Sequence, residues 1–340
     1  MKKWFAIGLI SAAIILLGSS FWFWQKGEGI VSPLASSLKK SLPGGNKYEP
    51  YTFEALSTRE FLPGKINLAS LTKKEKNYTT YVFTYLSDGK TISGMANIPR
   101  EGLSASWRSP FPVIILLRGY ANQETYHIGL GTERSANFLA ERGFLTLAPD
   151  FLGYGWSDWE DQDILLARFY RPVEVLNLLS AIDSLPQADS SRIGLWGHSN
   201  GGQIALSILE ITGRPYPTSL WAPVSLGFPE SVTVYLGVEE EVGNPVKEKL
   251  AEFLKDNEPK KFSITEYFAQ IKAPFIIHQG LSDELIKTEW TRDLVDELKK
   301  AGLSAETYYY RGENHNFNRY QSTGDLLRQR DGEFFRKHLK

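Results

Sequence analysis

The pentapeptide from Gly197 to Gly201 reads Gly-His-Ser-Asn-Gly, and it constrains the fold of this chain more than any other segment. An apolar run at 192–196 precedes it, and a run of small and apolar residues at 202–206 follows it. This is the G-x-S-x-G pattern in its setting of strand, sharp turn and helix. Glycine stands at each flank because a Cβ would clash where the chain reverses so abruptly. The pattern therefore predicts that Ser199 lies in a strained turn at the end of a sheet strand.

Apolar runs alternate with helix-compatible runs along most of the chain after residue 79. Two of them flank Ser-Asp-Gly, which is typical of an antiparallel hairpin. The others are short and continuous, as in strands that are buried on both faces. We predict strands at 79–85, 91–98, 113–117, 144–148, 192–196, 219–222, 275–278 and 307–310, and helices at 133–142, 173–184, 289–301 and 324–339.

This alternation predicts an α/β fold, in which a mostly parallel sheet of about eight strands carries helices on both faces. The leading hairpin makes one edge of the sheet mixed. The segment 227–271 is too long for a plain crossover and contains a helical pattern at 246–254, so we expect a small helical cap insertion there. The segment 51–76 has no clear pattern, and we expect it to pack onto the domain as an N-terminal extension.

Polar residues follow three of the predicted strands at their carboxyl ends, where ligands bind in open parallel sheets. Ser199 follows one strand, Asp283 follows the next to last strand, and His315 follows the last. The order Ser, Asp, His is the chain order of nucleophile, acid and base in a sheet with this turn. Glu284 and Asp150 are alternatives for the acid.

These residue types indicate a particular chemistry. A serine hydroxyl is a poor nucleophile at neutral pH, so His315 would accept its proton and return it to the leaving group. Asp283 would hold the imidazole in the correct tautomer. The oxyanion of a tetrahedral intermediate needs hydrogen-bond donors. We expect one from the backbone N–H of Asn200 and one from Tyr120, through either its N–H or its hydroxyl.

Several observations argue against a cofactor, a metal or a nucleic-acid partner. The glycine-rich segment 153–158 lacks the third glycine and the following helix of a dinucleotide loop. His198 and His278 are expected to be structural, and no two histidines have metal-binding spacing. The formal net charge of −1 gives no excess of basic residues for nucleic acid. The chain has no cysteine, which excludes a disulfide and a thiol nucleophile.

The first residues indicate attachment to a membrane. Two lysines precede an apolar run that ends at Trp24, close to the ~20 residues that a membrane-spanning helix needs. We therefore expect a signal anchor or transmembrane helix at 1–24, a flexible tether at 25–50, and a catalytic domain at 51–340 on the extracytoplasmic side. The alternative is a cleaved signal peptide, which would give a secreted protein.

Five strings of the sequence, several of them specific to one enzyme family and its close relatives, carry a resemblance. They are Arg-Gly-Tyr at 118–120, Pro-Asp-Phe-Leu-Gly-Tyr-Gly-Trp-Ser at 149–157, Ile-Gly-Leu-Trp-Gly-His-Ser-Asn-Gly-Gly at 193–202, His-Gln-Gly-Leu-Ser-Asp at 278–283 and Gly-Glu-Asn-His-Asn-Phe at 312–317. Through them the chain resembles the serine α/β-hydrolase superfamily and, within it, the catalytic domain of the prolyl oligopeptidase family, over about residues 79–339.

The resemblance implies an α/β-hydrolase fold and acyl-enzyme hydrolysis of peptide bonds through Ser199, Asp283 and His315, with Tyr120 in the oxyanion hole. We therefore expect a serine peptidase with a small-molecule or short-peptide substrate. Family members commonly carry a β-propeller ahead of this domain, for which the segment 51–78 is too short. Stand-alone relatives include carboxylesterases and acetyl esterases, so a carboxylesterase of the same fold is the alternative.

Overall fold

A nine-stranded sheet forms the centre of the chain in a computed structural model that describes residues 45–102, 109–234 and 240–340. The strands are β1 (Asn67–Lys74), β2 (Tyr78–Ser87), β3 (Lys90–Pro99), β4 (Phe111–Leu117), β5 (Leu145–Pro149), β6 (Ala188–His198), β7 (Thr218–Trp221), β8 (Phe275–Gly280) and β9 (Ala305–Tyr310). Their spatial order is β1-β2-β3-β5-β4-β6-β7-β8-β9. Strands β4 to β9 are parallel, whereas β1, β2 and β3 pair antiparallel and β3 joins β5 antiparallel. The predicted mostly parallel sheet with a mixed edge is confirmed.

Helices cover both faces of this sheet. They are α1 (Phe53–Thr58), α2 (Glu133–Ala140), α3 (Ile164–Ala181), α4 (Asn200–Thr212), α5 (Glu230–Thr233), α6 (Glu240–Asp256), α7 (Thr288–Lys300) and α8 (Gln321–His338). Helices α3, α4 and α7 bury their apolar residues against one face, and α2 and α8 bury theirs against the other. Because both faces are covered, β4, β5 and β8 are buried along their whole lengths.

The predicted membrane anchor at 1–24 and nearly all of the predicted tether at 25–50 lie outside the described residues. Within the described residues, no helix has the length and apolar character required to cross a membrane.

The sheet has one strand more than the number of about eight that the alternation predicts. The additional strand is β1, which lies at the edge of the sheet beside β2. Its eight residues are almost all exposed. A strand that buries so little does not need alternating apolar and polar residues, so its sequence carries no strand pattern.

Helix α3 begins at Ile164, whereas the predicted helix begins at residue 173. The carboxylate of Asp163 caps it by accepting hydrogen bonds from the backbone N–H groups of Leu165 and Leu166. Pro172 lies inside the helix, where its missing N–H normally ends or kinks a helix. The predicted start was therefore wrong, because the hydrogen bonds to Asp163 and the burial of α3 outweigh the cost of this proline.

The cap predicted at 227–271 is helical. It contains α5, α6 and three 3₁₀ turns between residues 259 and 270. The structure describes the backbone but not the side chains at 240–243. Phe262 of the cap stacks on Phe169 of α3, with 4.5 Å between the ring centroids. Phe253 contacts the same ring at 5.6 Å. These aromatic contacts attach the cap to α3.

A buried carboxylate joins α8 to three neighbouring strands. One oxygen of Asp331 accepts hydrogen bonds from the Ser219 hydroxyl at 2.6 Å and from Nε2 of His278 at 3.0 Å. The other accepts from the indole N–H groups of Trp196 at 3.2 Å and Trp221 at 2.9 Å. Because these donors lie on β6, β7 and β8, Asp331 holds the helix against all three strands.

The same network reaches the last strand, β9, through His278. Arg330 donates to the hydroxyl oxygen of Tyr310 at 2.7 Å, so that hydroxyl donates its own proton to Nδ1 of His278, also at 2.7 Å. The N–H of His278 is then on Nε2, where it faces Asp331. Both ring nitrogens of His278 are satisfied in the core, as predicted for a structural histidine.

Replacing Asp331 with Ala should lower the free energy of unfolding by about 3–5 kcal/mol, because four buried donors lose their acceptor at once. Urea denaturation measures the change. The matched control is Asp325→Ala on the same helix, which removes a largely exposed carboxylate paired with Arg328 and should cost at most about 1 kcal/mol. Equal losses in the two variants would contradict the role of the buried network.

Candidate active site

Ser199 occupies the turn between β6 and α4 in a strained backbone conformation. Its φ is 55° and its ψ is −121°, a combination that residues other than glycine rarely adopt. Two backbone hydrogen bonds hold the turn. The N–H of Ser199 donates to the carbonyl of Trp221 at 2.9 Å, and the N–H of Val224 donates to the carbonyl of Ser199 at 3.0 Å. The sharp turn that the glycine pattern predicts is therefore present.

The glycines around Ser199 let backbone segments approach closely. A Cβ at Gly201 would lie 1.9 Å from the carbonyl oxygen of Leu117, the last residue of β4. A Cβ at Gly197 would lie 2.6 Å from the carbonyl oxygen of Gly201. Any other residue would push these segments apart. The start of α4 therefore lies against the loop that follows β4, which is the loop that carries Tyr120.

His315 and Asp283 meet at the carboxyl edge of the sheet. Nδ1 of His315 lies 3.0 Å from Oδ2 of Asp283, and both side chains are buried. The other oxygen of Asp283 accepts from the backbone N–H groups of Leu285 at 2.9 Å and Ile286 at 2.8 Å. Burial disfavours the ionised carboxyl, but the hydrogen bonds from His315 and Ile286 outweigh it, so the pKa of Asp283 lies below its usual value. An ionised Asp283 places the proton of neutral His315 on Nδ1 and leaves Nε2 as an acceptor.

The two alternative acids contact other groups. Glu284 accepts a hydrogen bond from the backbone N–H of His315 at 3.4 Å. Asp150 accepts hydrogen bonds from the hydroxyls of Ser93 at 2.5 Å and Tyr126 at 2.6 Å. The geometry therefore favours Asp283 as the carboxylate that orients the imidazole.

His315 lies beside the turn that carries Ser199. Its ring centroid is 4.8 Å from that of His198, the residue before Ser199. The Ser199 hydroxyl itself forms no hydrogen bond with another of the described residues. Catalytic hydrogen bonds are often long without a substrate and shorten when one binds. The structure thus brings the three predicted side chains to one edge of the sheet, with the pair of Asp283 and His315 already formed.

His198 holds the loop of His315 in place. Its Nε2–H donates to the carbonyl oxygen of His315 at 3.0 Å. Burial and the neighbouring His315 ring lower the pKa of His198 to about 4, so its side chain is neutral at pH 7. The sequence predicts a structural role for His198. The sequence does not show that His198 contacts the loop of His315, because the two residues are far apart along the chain. Only the fold brings them together.

Asn200 and Tyr120 are the two residues predicted to donate hydrogen bonds to an oxyanion. Asn200 is the first residue of α4, and the first N–H groups of a helix have no partner within the helix. Tyr120 follows β4 and is 85% exposed. Both residues line the same cavity as Ser199. The structure thus places both residues in the cavity that Ser199 lines.

Arg118 orients the peptide that precedes Tyr120. Its buried guanidinium donates to the carbonyl oxygens of Gly119 at 2.8 Å and Asp150 at 2.7 Å, and it lies 3.9 Å from the ring centroid of Tyr154. In a trans peptide the C=O and N–H groups point in opposite directions. The contact that holds the Gly119 oxygen therefore fixes the direction of the Tyr120 N–H. This orienting role was missed from the sequence, where Arg118 is simply the residue before a glycine.

A cavity of about 630 Å³ adjoins Ser199. Helices α3 and α4 supply the largest share of its lining residues, and residues of the cap such as Phe262 and Ile264 line it too. Phe53 and Leu56 of α1 also contribute, which the sequence did not reveal. The cavity therefore combines the catalytic edge of the sheet with the cap and the N-terminal extension.

The sequence model of the prolyl oligopeptidase family matches residues 131–340, which is more than half of the chain. The chain therefore belongs to the prolyl oligopeptidase family, in the serine α/β-hydrolase superfamily. Dipeptidyl-aminopeptidase B of Aspergillus niger is 22% identical over 213 residues, which are 61% of this chain and 23% of that protein. The chain spans 35% or less of the length of the curated relatives that it matches.

Two solved structures share the fold. An acetyl xylan esterase from Paenibacillus sp. R4 has a TM-score of 0.61 and 20% identity, covering 83% of this chain and 91% of its own. A puromycin-hydrolyzing peptidase of Mycobacterium tuberculosis has a TM-score of 0.60 and 14% identity, covering 78% of this chain and 40% of its own. At these identities the similarity shows the α/β-hydrolase fold.

Replacing His198 with Gln should reduce the loss of stability in mild acid. The pKa of His198 is about 4 in the folded protein against 6.5 for an ordinary histidine, so the unfolded state binds more protons between these values and stability falls as the pH falls. Between pH 7 and pH 5, the free energy of unfolding should drop by about 2 kcal/mol more in the wild type than in His198→Gln.

Urea denaturation at the two pH values measures this difference. The control is His127→Gln, which replaces an exposed histidine and should retain the wild-type drop. Equal drops in the wild type and His198→Gln would show that His198 is not held neutral by its surroundings.

Proposed function

We propose that this chain is a serine hydrolase that cleaves peptide bonds in small or short-peptide substrates, as a serine peptidase of the prolyl oligopeptidase type. One observation carries the proposal. Ser199 stands in a strained turn at the end of β6, beside a His315 whose Nδ1 lies 3.0 Å from the carboxylate of Asp283. Nucleophile, base and orienting acid are the parts that acyl transfer needs. Membership of the family supports the same activity.

The acylation step forms one bond to carbon and breaks another. Oγ of Ser199 attacks the substrate carbonyl carbon while Nε2 of His315 accepts the hydroxyl proton. The oxyanion accepts hydrogen bonds from the N–H groups of Asn200 and Tyr120. The intermediate then expels the amine, which takes the proton from His315, and an ester remains on Ser199. Asp283 stabilises the imidazolium while it exists.

Deacylation repeats these steps with water as the nucleophile. His315 accepts a proton from the water as its oxygen attacks the ester carbonyl carbon. The second tetrahedral intermediate expels Oγ of Ser199, which takes that proton back. One water is consumed, and the products are a carboxylic acid and an amine. These steps proceed through the protein's own side chains and backbone N–H groups, and the proposal invokes no cofactor.

A carboxylesterase is the second candidate function, since the same steps then release an alcohol in place of an amine. The similarity to the Paenibacillus esterase extends over 91% of that chain. The similarity to the mycobacterial peptidase covers 40% of that chain. Of these two structures, the esterase is therefore the one that this chain covers more completely.

A fluorophosphonate probe should label the wild-type protein and not Ser199→Ala, because the probe reacts with an activated serine hydroxyl. Asp283→Asn should label much more slowly, by roughly 10²-fold or more, because His315 loses the tautomer that leaves Nε2 free. Gel fluorescence over time measures both rates. Labelling of Ser199→Ala at the wild-type rate would reject both candidate functions.

The same preparation separates peptidase from esterase. The measurement is kcat/KM for aminoacyl and prolyl p-nitroanilides and for p-nitrophenyl acetate. A peptidase should turn over at least one of the anilides in a manner that depends on Ser199. Ester turnover without measurable anilide turnover would assign the carboxylesterase instead.

We further propose that residues 1–24 anchor the chain in a membrane, with the catalytic domain on the extracytoplasmic side. The support is the sequence pattern of two lysines followed by an apolar run with tryptophans at both ends. Washing membranes with alkaline carbonate should leave the full-length protein in the pellet. Its release at full length would argue against a spanning helix, and release after shortening would indicate a cleaved signal.

A further inference from the structure

The cavity beside Ser199 follows helix α4 from its first turn to its last. Asn200, Gln203, Ser207 and Ile211 all line it, about one residue for each turn of the helix. At about 1.5 Å per residue, this stripe is about 16 Å long. Helix α3 forms the facing wall with residues that recur at helical spacing between Ile164 and Pro172. The cavity is therefore an elongated space between two helices that begins at the nucleophile.

The far end of this space is built from apolar side chains of separate elements. Leu56 of α1 and Ile264 of the cap line the cavity together with Ile211 of the last turn of α4, and all three are buried. Phe53 of α1 also lines it and stacks on Tyr267, with 4.8 Å between centroids and 2° between ring planes. The end wall is thus a fixed apolar surface.

Several polar groups in the walls already have hydrogen-bond or ion-pair partners. Arg171 pairs with Glu160 at 2.6 Å and Glu174 at 3.3 Å. The hydroxyl of Ser207 donates to the backbone carbonyl of Gln203 at 3.1 Å. The side-chain Nε2–H of Gln203 donates to the backbone carbonyl of Leu226 at 3.2 Å.

The oxygen of the Gln203 side chain accepts from Arg168, which also donates to the Ser231 hydroxyl at 3.0 Å. Beyond Gln203 on α4, the lining residues are Ile204, Ile211 and Ser207, whose hydroxyl already has an acceptor.

This surface discriminates between two kinds of extended ligand. A peptide in the far half of the cavity would bury N–H and C=O groups away from water without partners, which is costly for each group. An aliphatic chain has no such groups and gains from leaving water. Carbon–carbon bonds of about 1.5 Å at tetrahedral angles advance a chain by about 1.3 Å per carbon, so about 16 Å holds roughly twelve carbons.

We propose that the acyl half of the substrate is an unbranched aliphatic chain of about eight to twelve carbons, joined through an amide or ester to a smaller leaving group. The proposal rests on the part of the proposed function that makes Ser199 the nucleophile. It puts a fatty acyl group in place of a peptidyl group, and cleavage of either an amide or an ester would transfer that group to Ser199. The acyl group stays on Ser199 after the leaving group departs. A space with the buried Leu56 among its lining residues suits the part of the substrate that stays.

The first test measures kcat/KM for p-nitrophenyl esters from acetate to hexadecanoate. Each buried methylene should raise kcat/KM about threefold to fourfold, so the decanoate should exceed the acetate by at least 100-fold, and kcat/KM should fall again at hexadecanoate. Ser207→Leu fills the cavity partway along α4 and should lower the ratio of decanoate to acetate at least tenfold. Thr212→Leu, on the same helix outside the cavity, should keep the wild-type ratio. A flat or falling series in the wild type would overturn the proposal.

The second test separates this proposal from the proposed function. Calorimetric titration of Ser199→Ala with sodium decanoate below its micelle concentration should show binding at least 100-fold tighter than with acetate, and Ser207→Leu in that background should abolish the difference. Binding of this kind without Ser199-dependent turnover would leave the chain site standing and reject the hydrolase. Turnover of acetate or anilides with no preference for decanoate in either test would reject the aliphatic chain and leave the hydrolase standing.

Discussion

The hydrogen bonds that converge on Asp331 hold together the strands whose ends build the active site. Trp196 lies on β6, which ends at Ser199, and His278 lies on β8, which leads to Asp283. Tyr310 ends β9 and joins the network through His278. One carboxylate on the last helix therefore connects the supports of all three proposed catalytic side chains. Such chemistry tolerates little misplacement, so a polar network that fixes neighbouring strands contributes directly to the geometry of the site.

A second constraint acts where the carboxyl end of β6 turns into α4 and backbone segments lie in close contact. The strained φ of Ser199 persists because close contacts around Gly201 and hydrogen bonds to neighbouring strands determine the turn from several sides. The same contacts place the loop after β4 beside the serine. Arg118 then fixes the peptide of Gly119 and with it the N–H of Tyr120. Ser199 and the two proposed oxyanion donors are thus positioned by one packed unit, so the proposed reaction would need little reorganisation.

The features that the sequence predicts well are those with a local cause. The turn at Ser199 needs glycines on either side, and buried parallel strands such as β4 need continuous apolar residues, so both are visible in the primary structure. The Asp331 network, the hydrogen bond from His198 to the His315 loop and the role of Arg118 all join residues that are distant along the chain. Pro172 misleads for a related reason, since the burial that retains it inside α3 is tertiary. The edge strand β1 escapes because an exposed edge requires no pattern.

The cavity takes its lining from several parts of the fold. The parallel sheet supplies Ser199, Asp283 and His315, but it supplies little of the far wall, which comes from α1 and the cap. Helix α1 has only six residues, and Thr52 caps it while Phe53 stacks on Tyr267. A segment this short has little stability of its own, so its position depends on the wall that it completes. The proposed catalytic residues and the residues that line the far end of the cavity therefore lie on different parts of the chain.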